Sequence, residues 1–100
     1  MLIVQTTCKS RAEAEKIGVA LVRERLAACA SVHPCKSIFF WQGRLERQSE
    51  WVLELKITNS KYARTERRIR QLHSYALPQI IAFSVVRASK EYEHFIRKGR

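Results

Sequence analysis

Two runs of alternating side chains, residues 29–41 and 49–58, stand on either side of a lone Gly43. Successive side chains of a strand point to opposite faces. In the first run Cys35, Ser37, Phe39 and Trp41 therefore share one side, and Lys36, Ile38 and Phe40 share the other. In the second run Trp51, Leu53, Leu55 and Ile57 make an apolar side opposite Val52, Glu54, Lys56 and Thr58. Two such runs joined through a glycine predict a β-hairpin with long arms and with Trp41 and Trp51 near its tip. Pro34 has no N–H to give to a ladder, so it suits an edge, a bulge or a bend.

The flanking segments build a frame around this hairpin. Residues 2–7 read as a buried strand. Ser10 followed by Glu13 fits a capping box, and a helix runs from there to about Arg25, with Ala14, Ile17 and Leu21 on its inner stripe. Asn59 or Ser60 can cap a second helix, 61–74, whose apolar stripe is Tyr62, Thr65, Ile69 and Leu72. "QIIAFSVVRA" reads as a further strand, and Ser89 caps a short last helix in which Tyr92, Phe95 and Ile96 can dock. The order β-α-β-β-α-β-α predicts an α+β, ferredoxin-like sandwich, with helices on one face of a four-stranded antiparallel sheet. Strands such as "IIAFSVV" and "SIFFW" are apolar on both sides, while one helical layer covers one side only. The second side is expected to bury against another copy of the chain.

One hundred residues make one domain, 1–100, with no linker or low-complexity segment inside it. The apolar runs fall far short of the ~20 residues that span a bilayer, and no secretory leader is visible. Three cysteines, an odd number, fit free thiols in a reducing compartment, so the expected location is cytoplasmic, with no membrane partner. Nineteen Lys and Arg against nine acids give a net charge of +10. Such a surface attracts polyanions, and a nucleic-acid-binding protein is one alternative reading, with steeply salt-dependent affinity. No RNA-binding signature, P-loop or dinucleotide-binding glycine motif accompanies the charge. Every acid is Glu, which excludes a Ser-His-Asp triad, and no nucleophile can be paired with a base.

Several pieces then line up along the chain: "TT" at the end of the first strand, "RLAAC" at 25–29, S-x-F-x-W-x-G from Ser37 to Gly43, "LKIT" at 55–58, and H-x-Y-x-x-P at His73, Tyr75 and Pro78. Together, from about Ile3 to Phe95, they resemble the CutA (divalent-cation tolerance) proteins. The resemblance implies a homotrimer of ferredoxin-like protomers, whose long hairpins reach neighbouring subunits. It also implies a link to tolerance of copper and other divalent ions, and a regulatory or binding role rather than catalysis. A trimer that scaffolds another protein is a further alternative. A ligand or intersubunit pocket is expected at Trp41, Lys56 and Tyr75, and a trimer interface at Phe39, Trp41 and Trp51. Where the family commonly reads W-E-G-K, this chain has Trp41-Gln42-Gly43-Arg44. Where the family reads H-P-Y-E-x-P-E, it has His73-Ser74-Tyr75-Ala76-Leu77-Pro78-Gln79, and both glutamates are gone. The family's first-strand cysteine position holds Thr6, with Cys8 two residues on.

The metal candidates are His73 and Cys8, for copper or another divalent metal that folding does not require. His73 is expected at a helix end, where a neutral imidazole offers a lone pair. Cys8 is expected as a semi-exposed thiol before a helix N-terminus, a position that lowers a thiol pKa. Cys29, in a run of small residues, is expected to fill core space. His33 and Cys35 share one face but lack the further ligands that a closed site needs.

Overall fold

The computed structural model describes residues 1–99. Its elements are β1 (Leu2–Cys8), α1 (Arg11–Arg23), β2 (Cys29–Trp41), β3 (Arg44–Ile57), a short 3-10 turn (Asn59–Lys61), α2 (Tyr62–Leu72), β4 (Ile81–Ser84) and α3 (Lys90–Lys98). The strands form one sheet in the order β2-β3-β1-β4, and every neighbouring pair is antiparallel. This is the ferredoxin-like α+β arrangement expected from the element order.

The hairpin dominates the shape. Its turn is Trp41-Gln42-Gly43-Arg44, with φ of 50° at Gln42 and 77° at Gly43. Two positive φ values in a two-residue loop twist in the same sense as the strands they join. Gly43 takes its value without cost, and Gln42 accepts the less favourable one. The turn is so tight that β3 begins at Arg44 rather than at Ser49. Arms of 13 and 14 residues at about 3.3 Å per residue account for a molecule 46 Å long. The register also moves Trp51. It stands opposite Pro34 and Cys8, well back from the tip where the sequence placed it. There it packs at the border of the protomer's own core, with the Arg11 guanidinium 6.0 Å from its ring centre.

Ala14, Ile17 and Leu21 of α1 and Ile69 of α2 bury against Val4 and Cys8 of β1 and against Leu53, Leu55 and Ile57 of β3. Gly18 lies on the same face of α1. A Cβ there would come within 3.2 Å of both the Ala30 Cβ and the Leu53 side chain. Neither α1 nor α2 covers the opposite face of the sheet. On it, Ile81 and Phe83 of β4 are 42% and 48% exposed, beside Ile3 of β1.

The caps follow the sequence in two helices and depart from it in the third. Ser10 Oγ accepts from Glu13 N–H, and Ser89 Oγ accepts from Tyr92 N–H. Neither Asn59 nor Ser60 caps α2. A 3-10 turn leads into it instead, and Asn59 Oδ1 accepts from the terminal ammonium of Met1. Strand β4 spans four residues rather than ten. Ile80 before it turns toward the core, and after it Val85 N–H donates to the Met1 carbonyl.

Gly18→Val should destabilise the fold by about 1–3 kcal/mol, because a branched side chain has to displace Ala30 or Leu53. Urea unfolding checks this, and an unchanged midpoint would show that α1 can lift off the sheet.

Candidate functional site

The site begins where α2 ends. His73 is 8% exposed, and both of its ring nitrogens are committed. Nδ1 lies 3.1 Å from the Tyr75 backbone N–H, which can only donate, and Nε2 lies 2.8 Å from the Thr7 carbonyl oxygen, which can only accept. The ring is therefore the neutral tautomer with its proton on Nε2. Cys8 Sγ is 3.9 Å from the same Nε2.

These bonds pin the exit of α2 to the end of β1, and Glu13 adds a second tie. Glu13 Oε2 accepts from Ser74 N–H and Oε1 from Lys9 N–H. Burial alone would raise the Glu13 carboxyl, but the bonds from Ser74 and Lys9 hold it below its usual value. The sequence assigned the Glu13 side chain to the Ser10 backbone N–H; its two oxygens instead take the N–H groups of Lys9 and Ser74 and close this loop.

Held in this way, residues 74–79 cross over the uncovered face of the sheet. Tyr75 packs against His73, with ring centres 4.9 Å apart, and its hydroxyl donates to Glu50 Oε2 at 2.7 Å. Burial, followed by the Glu50 carboxylate, pushes the Tyr75 phenol above its ordinary value, so it keeps its proton. Glu50 is only 6% exposed, yet no described Lys or Arg comes within 4.0 Å of its carboxylate. Beside this pair opens a cleft of about 670 Å³, walled by Phe39, Trp41, Leu77 and the two acids Glu46 and Glu50.

Of the expected pocket residues, Trp41 and Tyr75 line this cleft together with Phe39. Lys56 does not. It pairs with Ile3 and Cys29 at the far end of β3 and borders a separate hollow beside Arg87 and Tyr92. Glu50 and Thr7 were not singled out in the sequence. Strand alternation puts Glu50 on the same face as Phe39 and Trp41, but nothing local announces that Tyr75 folds back onto it.

The metal candidates come together without forming a metal site. A ligating imidazole needs a free lone pair, and that of His73 already accepts from Tyr75. A ligating cysteine needs to be a thiolate. Cys8 is fully buried rather than semi-exposed. Burial, then the charges of Glu13 and Glu50, push its thiol from 9.0 to about 12. The dipole of α1 does not overcome this. The residues therefore do not fit a resident copper or zinc ion in this arrangement. Among the described residues, no three His, Cys, Asp or Glu side chains converge. Thr6, at the family's cysteine position, is buried with its hydroxyl unpartnered among the described residues.

The other cysteines also moved relative to expectation. Cys29 is half-buried on the uncovered face, so Cys8 rather than Cys29 is the core cysteine. His33 and Cys35 share that face, and Cys35 Sγ lies 3.8 Å from Ser37 Oγ.

A family model for the CutA1 divalent ion tolerance protein matches residues 2–99. The chain belongs to the CutA1 family. It is 35% identical over 98 residues to the divalent-cation tolerance protein CutA of Thermus thermophilus, covering 97% of this chain and 95% of that one. It is 34% identical to the protein of the same name from Archaeoglobus fulgidus, covering 93% and 91% of the two chains. The solved CutA1 of Pyrococcus horikoshii superposes with a TM-score of 0.95 at 30% identity, over 99% of this chain and 97% of that one. Within the CutA1 fold, then, the cleft lies where the segment after α2 meets the hairpin.

Cys8 provides a direct check on the site. At pH 8 iodoacetamide should leave Cys8 unmodified in the native protein and label it only in denaturant, as read by peptide mass mapping. Its thiol holds a proton more tightly folded than unfolded, so this contribution is complete below pH 9 and is lost as pH rises from 9 toward 12. Stability should fall above pH 9 with a slope approaching about 1.4 kcal/mol per pH unit. Cys8→Ala should flatten that slope in urea melts at pH 8, 9 and 10.

Proposed function

We propose that this protein is a homotrimeric, non-catalytic binding or regulatory module in the response to divalent metal ions. Membership of a family described by divalent ion tolerance supports the role. The observation that supports the assembly is the sheet face that α1 and α2 leave uncovered, where Ile81 and Phe83 of β4 stand exposed.

Phe39 and Trp41 then belong to the shared surface, while Trp51 serves the protomer's core. The cleft at Trp41 and Tyr75 is the ligand pocket. Copper contact at His73 and Cys8 requires that pair to open, because the imidazole has to release Tyr75 and the thiol has to lose its proton. Metal binding there is accordingly weak and unnecessary for folding. No described helix is long and apolar enough to cross a membrane. Three unpaired cysteines favour a reducing compartment such as the cytoplasm, although the solved Archaeoglobus relative is called periplasmic.

Light scattering should give three chain masses at micromolar concentration, and a folded monomer would refute the assembly. Phe83→Arg should shift the population toward monomer. Calorimetric titration should find no tight copper site, and the weak heat should diminish in His73→Ala. A tight site untouched by that substitution would move metal binding elsewhere on the molecule.

A further inference from the structure

The cleft beside Glu50 and Tyr75 has chemistry that metal tolerance does not use. Glu50 is more than nine-tenths buried, its carboxylate accepts from Tyr75 on one oxygen, and among the described residues no Lys or Arg lies within 4.0 Å of it. A buried carboxylate without a counter-charge is costly, and a donor arriving from outside the protomer offsets that cost. Much of the remaining wall is apolar or aromatic: Phe39, Trp41 and Leu77. Half of the Trp41 surface is open, and a cation over an indole face is attracted by the ring. Glu46 and Arg47, of opposite charge, also line the cleft, so Glu50 leaves its wall with one net negative charge. A bare metal ion would need several converging oxygen ligands, and this wall holds one buried carboxylate beside a protonated phenol. A volume of about 670 Å³ is that of a small-molecule site.

We infer that this cleft binds a small organic cation, with an ammonium or guanidinium group set against Glu50 and an apolar or aromatic body lying on Phe39 and Trp41. The inference deepens the reading of the cleft as the ligand pocket and rests on it. The Tyr75 hydroxyl fixes one carboxylate oxygen and leaves the other to accept from the ligand. Glu50 thus supplies charge recognition, and the aromatic wall supplies shape and desolvation.

The test uses the intact protein, sized first by light scattering. Phenethylamine and agmatine are titrated while tryptophan fluorescence and heat are followed, with phenylacetate and magnesium chloride as controls. The two amines should bind saturably and the two controls should not. Glu50→Gln should weaken amine binding roughly tenfold or more, while Glu54→Gln, on the same face but outside the cleft, should leave it unchanged. If Glu50→Gln does not fold, Trp41→Ala replaces it and should also weaken binding. Absence of amine binding by a properly assembled trimer overturns the inference and leaves the assembly standing. Equal binding of phenylacetate, tighter binding of magnesium, or amine binding indifferent to both substitutions also overturns it. A monomer at the sizing step counts instead against the trimer reading.

Discussion

An N–H···O=C bond from the His73 imidazole to the Thr7 carbonyl fastens the exit of α2 to the end of β1. The Thr7 carbonyl lies near the end of β1, close to where the strand gives way to α1. A side chain reaching it from α2 joins the two helical connections at one point. The other ring nitrogen then receives Tyr75 N–H, so the chain is turned as well as anchored. An imidazole suits this place because it is the one side chain with a donor and an acceptor on opposite sides of a rigid ring. Lysine offers only donors, and a carboxylate only acceptors. The same commitment removes His73 from metal chemistry, so the residue that looked most like a ligand in the sequence is a structural fastener in the fold.

The second organising fact is that the two faces of the sheet are unequal. Helices α1 and α2 cover one face with Ile17, Leu21 and Ile69, and the ion pairs of Arg11, Arg68 and Arg70 decorate that layer. The other face combines apolar β4 with the acids of β3. Burial next to Tyr75 makes Glu50 different from Glu46 and Glu54, although all three recur at the same spacing along one strand. Spacing selects the face, and tertiary contact selects the residue.

Much of the fold was legible because it is written in local periodicities. The alternation in 29–41 and 51–57 set both faces of the hairpin correctly, and Ser10 and Ser89 marked two helix starts. The misreadings came from features without a local signature. A turn of two residues lengthened β3 and carried Trp51 away from the tip. The α2 start used backbone geometry where Asn59 suggested a side-chain cap. Cys8 looked exposed because helix N-termini usually are, but α2 comes from sixty residues away and closes over it. For the site, the sequence supplied Trp41 and Tyr75. It could not supply Glu50, whose meaning depends on a tyrosine twenty-five positions later in the chain, nor could it show that within one protomer Lys56 lies away from this cleft, since only the register shows how far along β3 that lysine lies.

Strand β2 has one further consequence. It is the outer strand on its side of the sheet, thirteen residues long, and β4 is a second free edge. A sheet with two open edges is a template for endless lateral growth. Pro34 interrupts the long edge, since it has no N–H to offer a newcomer, and Lys36 follows it with a charge. These two residues divide the edge into a stretch near the core and a stretch toward the tip. An incoming strand finds a short landing place rather than a continuous rail. That difference separates a ring that closes after a few copies from a fibre that never closes.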